Sequence, residues 1–328
     1  MKKISAGIIG FGIGQKHFEA IHNYKNAKVK VICEKNLKKL KYIKKLFPKI
    51  KITNNENDIF LDRDINLVSI ASYDNYHYSQ ILKSIKNKKN IIVEKPMCLN
   101  LKHLQNIKKL ILKSNVKIMS NMVLRVNDLF INIKKKISKD NIFYIEADYI
   151  WGRINKLFGW RSKINDYSII LGAGIHVIDL VMWMLNKRPH SVLAIANNIV
   201  TSKTVFKKKS MALIILEFPG NIIAKITANG VAVHEHFHEI KVFTNKKTIN
   251  NTLKGSFTYS KNNLIKNKFS YPDRANRKKL IHNFIDHLLN NKKKLIMSKK
   301  EQLDLMSVCL AAEESLKKDK KIKIKYIR

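Results

Sequence analysis

The sequence predicts an α/β protein: a doubly wound parallel sheet at the N-terminus, then a second α/β domain with a large, open, mostly antiparallel sheet. Over residues 1–123, short apolar strands alternate with amphipathic helices, which is the pattern of right-handed βαβ units. Beyond residue 123, most predicted strands follow one another without helices, which indicates antiparallel pairing. We therefore expect a first domain in residues 1–123 and a second domain in residues 124–328.

Hydrophobic periodicity defines the elements of the first domain. Apolar runs predict strands at residues 4–9, 29–33, 50–53, 67–71, 90–93 and 117–123. Apolar residues at helical spacing predict helices at residues 14–24, 36–47, 77–87 and 101–115. The lysine-coated helix at 36–47 ends before Pro48, because proline cannot continue a helix.

The second domain combines a few helices with a long series of strands. Predicted helices lie at residues 130–137, 175–185, 278–289 and 301–316. Predicted strands lie at residues 142–150, 192–198, 211–218, 222–228, 239–243 and 322–326. Such an open sheet leaves one face without helices, and exposed apolar area normally marks a partner surface. We therefore expect a homodimer or homotetramer that assembles through this sheet.

The composition is that of a globular protein. The chain has 328 residues, enough for two hydrophobic cores, and 45% of them are hydrophobic. No apolar run reaches membrane-spanning length, and residues 4–13 are interpreted as a first strand and turn instead of a signal peptide. The cysteines, Cys33, Cys98 and Cys309, are far apart, which argues against a disulfide framework and favours reduced thiols in the cytoplasm.

The net charge of +40 suggests nucleic-acid binding, but its distribution does not. The lysines occur in nearly every segment together with many Asn and Ile, which indicates a compositional bias of the whole chain. No arginine-rich arm and no basic strand studded with aromatic residues is present. We expect no specific nucleic-acid or membrane partner, and only weak, salt-sensitive association with polyanions.

A glycine-rich stretch lies between the first predicted strand and the first helix: Gly10, Phe11, Gly12, Ile13 and Gly14. At this position, the backbone N–H groups of a helix N-terminus bind the pyrophosphate of a dinucleotide. The third glycine comes one residue early, and Gln15 has its usual place. Its setting after the first strand is what makes this motif indicate a cofactor site.

Glu34 ends the second predicted strand, where an acidic residue typically accepts hydrogen bonds from the adenosine ribose hydroxyls. Its charge would repel a 2′-phosphate, so NAD is favoured over NADP. Lys35 acts in the opposite direction, and NADP stays possible. The alternative is a surface glutamate that merely follows a strand.

Glu94-Lys95-Pro96 closes the apolar run at residues 90–93, which is interpreted as a buried parallel strand. Ligands gather outside the carboxyl ends of such strands. Pro96 fixes its own φ angle and restricts Lys95, so the lysine is expected to face a crevice. The alternative is a charged loop that happens to end a strand.

Several motifs follow one another in a single order. They are Gly10-Phe11-Gly12, Glu34, the turn at residues 72–77, Glu94-Lys95-Pro96, and Gly174-Ile175-His176-Val177-Ile178-Asp179. In this combination the whole chain resembles the Gfo/Idh/MocA family of NAD(P)-dependent oxidoreductases. The resemblance implies an N-terminal Rossmann domain and a C-terminal α/β domain whose sheet packs against its copy. It also implies hydride transfer between nicotinamide and a secondary alcohol or ketone of a sugar, nucleotide sugar or cyclitol.

The resemblance assigns roles by position. Lys95 matches the lysine that contacts the reacting hydroxyl and the nicotinamide ribose, and His176 matches an acid/base histidine. Ser72, His77, Glu94 and Pro96 match residues around the cofactor, and Pro96 matches a proline that is often cis.

Two positions depart from the family pattern. Many members carry Asp four residues before the histidine, where this chain has Gly172. Proton transfer is then left to His176, Lys95 or another group. The early glycine, Gly14, leaves the phosphate contacts open.

A cluster of aromatic and basic residues surrounds the loop after the strand at 142–150: Tyr149, Trp151, Arg153, Trp160, Arg161 and Tyr167. Aromatic rings stack on sugars or bases, and arginine binds phosphate or carboxylate, so the cluster fits an anionic nucleotide sugar. The alternative is ordinary packing. The expected substrate-binding residues are Lys95, Arg125, Trp160, Arg161, Tyr167, His176 and Asp179.

Two further histidine questions stay open in the sequence. His176 begins an apolar helix, so it is either catalytic or a satisfied core histidine, and Asp179 lies one helical turn away. His234, His236 and His238 would share one face of a strand. Neighbours on one strand wrap a tetrahedral ion poorly, so we expect no metal there and favour a face near substrate or a subunit contact.

The sequence therefore predicts an NAD(P)-dependent oxidoreductase that acts on a carbohydrate-type alcohol or ketone. A narrower expectation is a nucleotide-sugar 3-dehydrogenase that acts before amination in surface-polysaccharide or lipid A synthesis. The contrasting class is a non-catalytic sugar- or polyanion-binding relative with the same fold.

Overall fold

The computed structural model describes residues 3–267 and 276–327, which form two compact units. The first unit contains the described chain up to Val123, together with the segment that ends at Gln302. The second unit begins at Leu124 and takes up the chain again from Leu303.

The first part of the chain alternates strands and helices, as predicted. Its strands are β1 (Ile4–Ile9), β2 (Ala27–Cys33), β3 (Lys51–Thr53), β4 (Leu67–Ile70), β5 (Asn90–Val93) and β6 (Ile118–Ser120). Its helices are α1 (Gly14–His22), α2 (Leu37–Leu46), α3 (Asn57–Phe60), α4 (His77–Lys86) and α5 (Leu101–Leu112). Strand β6 ends earlier than predicted, because the chain turns into a short 3₁₀ helix at Val123–Val126.

These six strands form one parallel sheet in the order β3-β2-β1-β4-β5-β6. The order reverses between β1 and β4, so a crevice forms beyond the carboxyl ends of these strands. The prediction of a doubly wound parallel sheet is confirmed.

The rest of the chain supplies the second sheet. Its helices are α6 (Asp128–Ile137), α7 (Ile175–Leu185), α8 (Asn276–Leu289) and α9 (Lys299–Lys318). Its strands are β7 (Ile142–Ile150), β8 (Ser191–Asn197), β9 (Met211–Phe218), β10 (Ile222–Asn229), β11 (Phe237–Thr244), β12 (Lys247–Thr252), β13 (Gly255–Ser260), β14 (Asn263–Lys266) and β15 (Ile322–Lys323).

The nine strands lie in the order β14-β13-β12-β11-β7-β10-β9-β8-β15. Only β7 and β10 pair in parallel; the remaining pairs in this sheet of the described chain are antiparallel. The prediction of an open, mostly antiparallel sheet is confirmed. Strands β12, β13 and β14 were not predicted, because their sequence is rich in Asn, Lys and Thr and lacks apolar alternation.

Helix α8 lies in the first unit, although the sequence predicts it in the second domain. It packs against α1, where His282 Nε2 lies 2.9 Å from the Ala20 carbonyl oxygen and the Tyr24 hydroxyl donates to Asp286. Its apolar side, which includes Phe284, is buried. Tertiary packing therefore returns the chain to the first unit, which no local pattern indicates.

The two faces of the second sheet differ. In β9, Ala212, Ile214 and Leu216 are buried, whereas the residues between them are only half-buried. The buried face carries α7, and the other face exposes large apolar residues such as Ile195 and Ile223. Among the helices described here, none is both long and apolar enough to cross a bilayer.

Candidate active site

The turn after β1 depends on Gly10. Its φ angle is +84°, and a Cβ atom at this position would lie 2.6 Å from the Ala71 carbonyl oxygen. Any other residue would therefore be strained and would clash with the chain after β4. Gly10 thus lets the first loop lie directly against the segment that follows β4.

The next two glycines have different roles. A Cβ atom on Gly12 would meet nothing within 4 Å, whereas one on Gly14 would lie 3.1 Å from Ile8 Cγ2. Gly14 therefore allows α1 to approach β1 closely, which is the function of the third glycine in this type of loop. The early glycine of the sequence is explained by this contact.

The start of α1 suits a phosphate. Neither Gly12 nor Ile13 donates its backbone N–H to any residue that the structure describes, and the first turn of α1 contains no acidic residue. Open space beside Gly12 and unused N–H groups at a helix N-terminus are what a pyrophosphate requires. These residues fit a dinucleotide cofactor.

Glu34 is nearly buried and held by the backbone. Its Oε2 accepts a hydrogen bond from Phe11 N at 3.0 Å, and its Oε1 accepts one from Asn36 N at 2.9 Å. The Phe11 ring packs edge-on against Phe18 and Phe47. Phe11 thus supports the loop with both its ring and its N–H, and its contact with the cofactor stays a prediction.

Ser72 and His77 shape the loop after β4. The His77 ring is fully buried. Its Nδ1 lies 2.7 Å from the backbone carbonyl oxygen of Pro96, and its Nε2 lies 3.1 Å from the backbone carbonyl oxygen of Ser72. The Ser72 hydroxyl donates to Gln80 Oε1 at 2.6 Å. His77 therefore joins two loops at the carboxyl edge of the sheet, and its contact with the cofactor stays a prediction.

Lys95 follows β5 at the carboxyl edge of the parallel sheet and is half-buried. The Lys95–Pro96 peptide bond is cis, as the resemblance implies. The sequence-based prediction that this lysine lies at the crevice end of a buried parallel strand is consistent with that position.

A buried polar network surrounds the neighbouring Glu94. Its Oε1 lies 3.0 Å from His17 Nε2, accepts a hydrogen bond from Asn121 Nδ2 at 2.7 Å, and lies 3.6 Å from Arg277 Nε. His17 Nδ1 lies 2.7 Å from the Ser69 hydroxyl. One carboxylate thus connects α1, β4, the end of β6 and α8. The sequence did not identify His17 or Arg277, because each is recognisable only by its partner.

The network keeps Glu94 ionised. Burial alone would raise the pKa of this carboxyl group, but the hydrogen bond with His17 and the charges of Arg277, His17 and Lys95 outweigh it and hold the pKa well below its usual value. Glu94 is therefore a fixed negative charge next to Lys95, and its contact with the cofactor stays a prediction.

We expect Glu94→Gln to destabilise the protein by about 3–5 kcal/mol at neutral pH, because the change leaves buried partners without their counter-charge. The pKa of Glu94 is lower in the folded protein than in the unfolded chain, where it is about 4.3. Its contribution to the free energy of unfolding is therefore complete above about pH 4.3, and it is lost as the pH falls through the folded pKa. Urea unfolding at several pH values measures both effects. The difference in the free energy of unfolding between Glu94→Gln and the wild type should become smaller below about pH 4.3.

Glu19→Gln is the matched control for Glu94→Gln. Glu19 pairs with Lys16 at 2.7 Å on the exposed side of α1, the helix that carries His17, so its loss should cost less than about 1 kcal/mol. Equal stability losses for the two variants would show that the buried network contributes no more than an exposed ion pair.

His176 lies in the first turn of α7, directly after a π-helical turn at Ile170–Gly174. Its ring stacks on Tyr149 of β7 with the centroids 5.7 Å apart and meets His238 of β11 edge-on at 6.3 Å. Tyr149 and His238 are directly paired in the sheet. The structure therefore gathers three chemically active side chains on the helix-covered face of the second sheet.

The two neighbours of His176 are uncharged at neutral pH. Burial, with the nearby His236, His176 and Arg153, lowers the pKa of His238 well below its ordinary value. Burial raises the pKa of Tyr149 to about 12, although Arg153 and Arg161 oppose this shift. The group around His176 thus consists of a neutral imidazole and a protonated phenol.

Arg125 and Asp179 form a buried bidentate ion pair. Arg125 Nε lies 2.9 Å from Asp179 Oδ2, and Nη2 lies 2.7 Å from Oδ1. Both side chains are almost completely buried. The ion pair fastens α7 to the segment before α6. That Arg125 and Asp179 also bind substrate stays a prediction.

The loop after β7 presents several cations. The Arg161 guanidinium lies over the rings of Trp160 and Trp151, at 4.2 Å and 4.8 Å from their centroids. Burial and the charges of Arg153 and Arg161 lower the pKa of Lys156, which shows that three basic groups lie close together. The prediction that Trp160 and Arg161 belong to one cluster agrees with this geometry. Tyr167 also lies in this loop, against Gly172.

The histidines before β11 do not form a strand face. His234 is exposed, His236 Nδ1 lies 3.0 Å from the Ile150 oxygen, and only His238 lies within the strand. Across residues 3–267 and 276–327, no group of three or more His, Cys, Asp or Glu side chains is arranged to hold a metal ion.

Two family matches cover most of the chain. Residues 4–122 match the family described as "Oxidoreductase family, NAD-binding Rossmann fold", and residues 140–250 match the "GFO/IDH/MocA C-terminal domain". The chain belongs to the Gfo/Idh/MocA family. As a member, it is an NAD(P)-dependent oxidoreductase with an NAD-binding Rossmann domain.

Similar proteins agree with this assignment. Myo-inositol 2-dehydrogenase of Thermotoga maritima is 22% identical over 251 residues, which are 74% of this chain and 73% of that protein. Among solved Gfo/Idh/MocA-like structures, myo-inositol 2-dehydrogenase from Lactobacillus plantarum superposes with a TM-score of 0.85 at 18% identity, over 99% of this chain and 100% of the other. Scyllo-inositol dehydrogenase from Lactobacillus casei, with NAD(H) and scyllo-inositol bound, gives 0.83 at 20% identity, over 98% and 99%. At these identities the likeness establishes the fold.

Within this Gfo/Idh/MocA protein, we expect Glu34 to favour NAD over NADP. Its carboxylate is fixed beside the phosphate loop by Phe11 N and Asn36 N, so it would repel a 2′-phosphate. Calorimetric titration of both cofactors measures the preference, and Lys35→Gln provides the matched change of the opposite charge. Tighter binding of NADP at moderate salt, abolished in Lys35→Gln, would show that Lys35 controls this site.

Proposed function

We propose that the protein transfers hydride between NAD and a secondary alcohol or ketone of a sugar, nucleotide sugar or cyclitol. The observation that carries the proposal is Lys95: it lies at the carboxyl edge of an NAD-binding sheet, next to the buried and ionised Glu94. The relatives named as inositol dehydrogenases support a polyhydroxylated ring as the substrate class.

The proposed chemistry divides the reaction between two side chains. The nicotinamide supplies the hydride acceptor when it is bound. The Lys95 ammonium stabilises the oxygen from which the proton departs, and Glu94 holds the lysine loop in place. His176 accepts the hydroxyl proton during oxidation and returns it during reduction. The residues proposed to form the cofactor site are Gly10, Phe11, Gly12, Ile13, Gly14, Glu34, Ser72, His77, Glu94, Lys95 and Pro96.

A nucleotide sugar or another anionic sugar is the narrower proposal. Arg153, Lys156 and Arg161 form a cationic cluster, and no described carboxylate lies within ion-pair distance of them. Guanidinium groups bind phosphate and carboxylate through paired hydrogen bonds. Oxidation of the sugar 3-hydroxyl before amination, in surface-polysaccharide or lipid A synthesis, is one reaction of this class.

NADH absorbance with a panel of substrates tests the function. The panel contains cyclitols, neutral sugars, sugar acids and nucleotide sugars, each with NAD, and the corresponding ketones with NADH. Turnover with a polyhydroxylated ring supports the general proposal, and a preference for the anionic members supports the narrower one. NADH binding without any turnover, or salt-sensitive association with polyanions alone, would instead support the non-catalytic relative.

We further propose that the protein assembles through the second sheet. The face opposite α7 exposes Phe143, Ile195, Ile223 and Tyr259, and exposed apolar area of this kind favours a partner surface. Light scattering at micromolar concentration is expected to give a homodimer or homotetramer. Ile223→Glu should shift the protein toward monomer, whereas Ile199→Glu, in an exposed loop outside the sheet, should not. A wild-type monomer would contradict this proposal.

A reducing compartment such as the cytoplasm is proposed from the thiols. Cys33, Cys98 and Cys309 are all free and buried. Burial raises the pKa of Cys33 to about 11 and of Cys98 to about 12, which makes both poor nucleophiles at neutral pH. None of the three is placed in the proposed chemistry.

A further inference from the structure

Tyr167 occupies the space of a missing side chain. A Cβ atom built on Gly172 would lie 2.3 Å from the Tyr167 hydroxyl oxygen and 2.8 Å from Cζ. Real Cβ atoms do not approach other atoms this closely. The phenol group therefore stands where any larger residue at position 172 would begin, and Gly172 is the residue that admits it.

This position lies beside His176. Gly172 belongs to the π-helical turn that leads into α7, and His176 follows four residues later. Residues with this spacing share one side of a helix, with Cβ atoms about 5–6 Å apart. Single π-helical turns are also frequent at functional sites. The hydroxyl over Gly172 is consequently a neighbour of the proposed proton acceptor.

The ring of Tyr167 is firmly held. It is 5% exposed and packs edge-on against Trp160 at 6.3 Å and Phe206 at 5.6 Å. The packing of the ring therefore fixes the position of the hydroxyl oxygen over Gly172.

We propose that Tyr167 is a further catalytic residue, whose hydroxyl group binds the reacting oxygen of the substrate beside His176, in the space that a side chain at position 172 would otherwise take. This inference rests on the proposed function. During oxidation the substrate proton passes to His176, the hydride passes to the nicotinamide, and the O–H bond of Tyr167 stays intact as a hydrogen-bond donor.

Tyr167→Phe tests the proposal, because it removes one oxygen and keeps the ring packing. We expect kcat to fall about 10- to 100-fold, with a smaller change in KM, because the hydrogen bond strengthens as negative charge develops on the oxygen. Tyr326→Phe is the matched control: its hydroxyl donates to the Pro189 oxygen at 2.6 Å in the same unit, and its loss should leave kcat unchanged.

A residue exchange separates catalysis from packing. Tyr167→Ala should be nearly inactive, and Tyr167→Ala combined with Gly172→Asp should regain part of the lost rate with a changed pH profile, because a carboxylate then occupies the vacated space. Wild-type kcat and pH profile in Tyr167→Phe would overturn the role of Tyr167 and leave the proposed function standing. Absence of turnover and of sugar binding in the wild type, measured by calorimetry with NADH present, would overturn both.

Discussion

Lys95→Ala is expected to abolish turnover and to leave NADH binding largely intact. The lysine acts on the reacting oxygen, whereas the cofactor has many other contacts around the loop after β1. The substitution should preserve the fold, because Glu94 keeps His17 and Arg277 as partners when the neighbouring ammonium is removed. Turnover is measured by NADH absorbance with the best substrate of the panel, and NADH binding by quenching of tryptophan fluorescence.

Two further variants make the Lys95 result specific. Lys102→Ala removes an exposed lysine from the start of α5 and should behave as wild type, which controls for the loss of one charge from a very basic chain. Lys95→Arg keeps the charge but changes its shape and reach, so it should recover little activity. Substantial turnover by folded Lys95→Ala would remove this residue from the proposed mechanism.

His176→Ala is expected to lower the rate by about 10²–10⁴, the usual contribution of a general acid or base. It should also remove a limb of the pH–rate profile in the range where imidazole titrates. His238 is expected not to take over, because burial and its neighbours already hold its pKa well below the ordinary value. The measurements are kcat and kcat/KM across the pH range.

The ring contacts of His176 require a folding control. Because this ring stacks on Tyr149, the variant must first show a wild-type unfolding transition. His190→Ala, which removes a more exposed histidine near Glu217, should change neither rate nor pH profile. Near-native activity with an unchanged pH profile in folded His176→Ala would contradict the assignment, and Tyr149 or Tyr167 would be the next proton carrier to test.

The local sequence by itself determined the two sheets and two of the motifs of the candidate site. Alternating strands and helices predicted the parallel sheet, and consecutive strands predicted the open one, because burial on one face imposes a period of 2 or 3.6 residues on the sequence. The glycine-rich turn and the strand that ends at Glu94-Lys95-Pro96 are equally local. Both motifs could therefore be recognised from the sequence without the structure, and so could the resemblance to the family.

The tertiary structure decided which charged and polar groups are partners. Glu94 meets His17 and Arg277, and Arg125 meets Asp179, although nothing in the spacing of these residues indicates a pair. Burial makes an unpaired charge costly, so such pairs are fixed by the packing of distant elements and not by neighbours in sequence.

The contact between Tyr167 and Gly172 shows that the sequence does not indicate side-chain contacts even between residues close in the chain. From the sequence, Gly172 is interpreted as the loss of a functional side chain. In the structure, Gly172 leaves the space into which Tyr167 extends. The sequence determined the residue types and the order of the elements. Only the tertiary structure decided which side chain fills which space, because steric exclusion acts between atoms brought together by folding, wherever they lie in the chain.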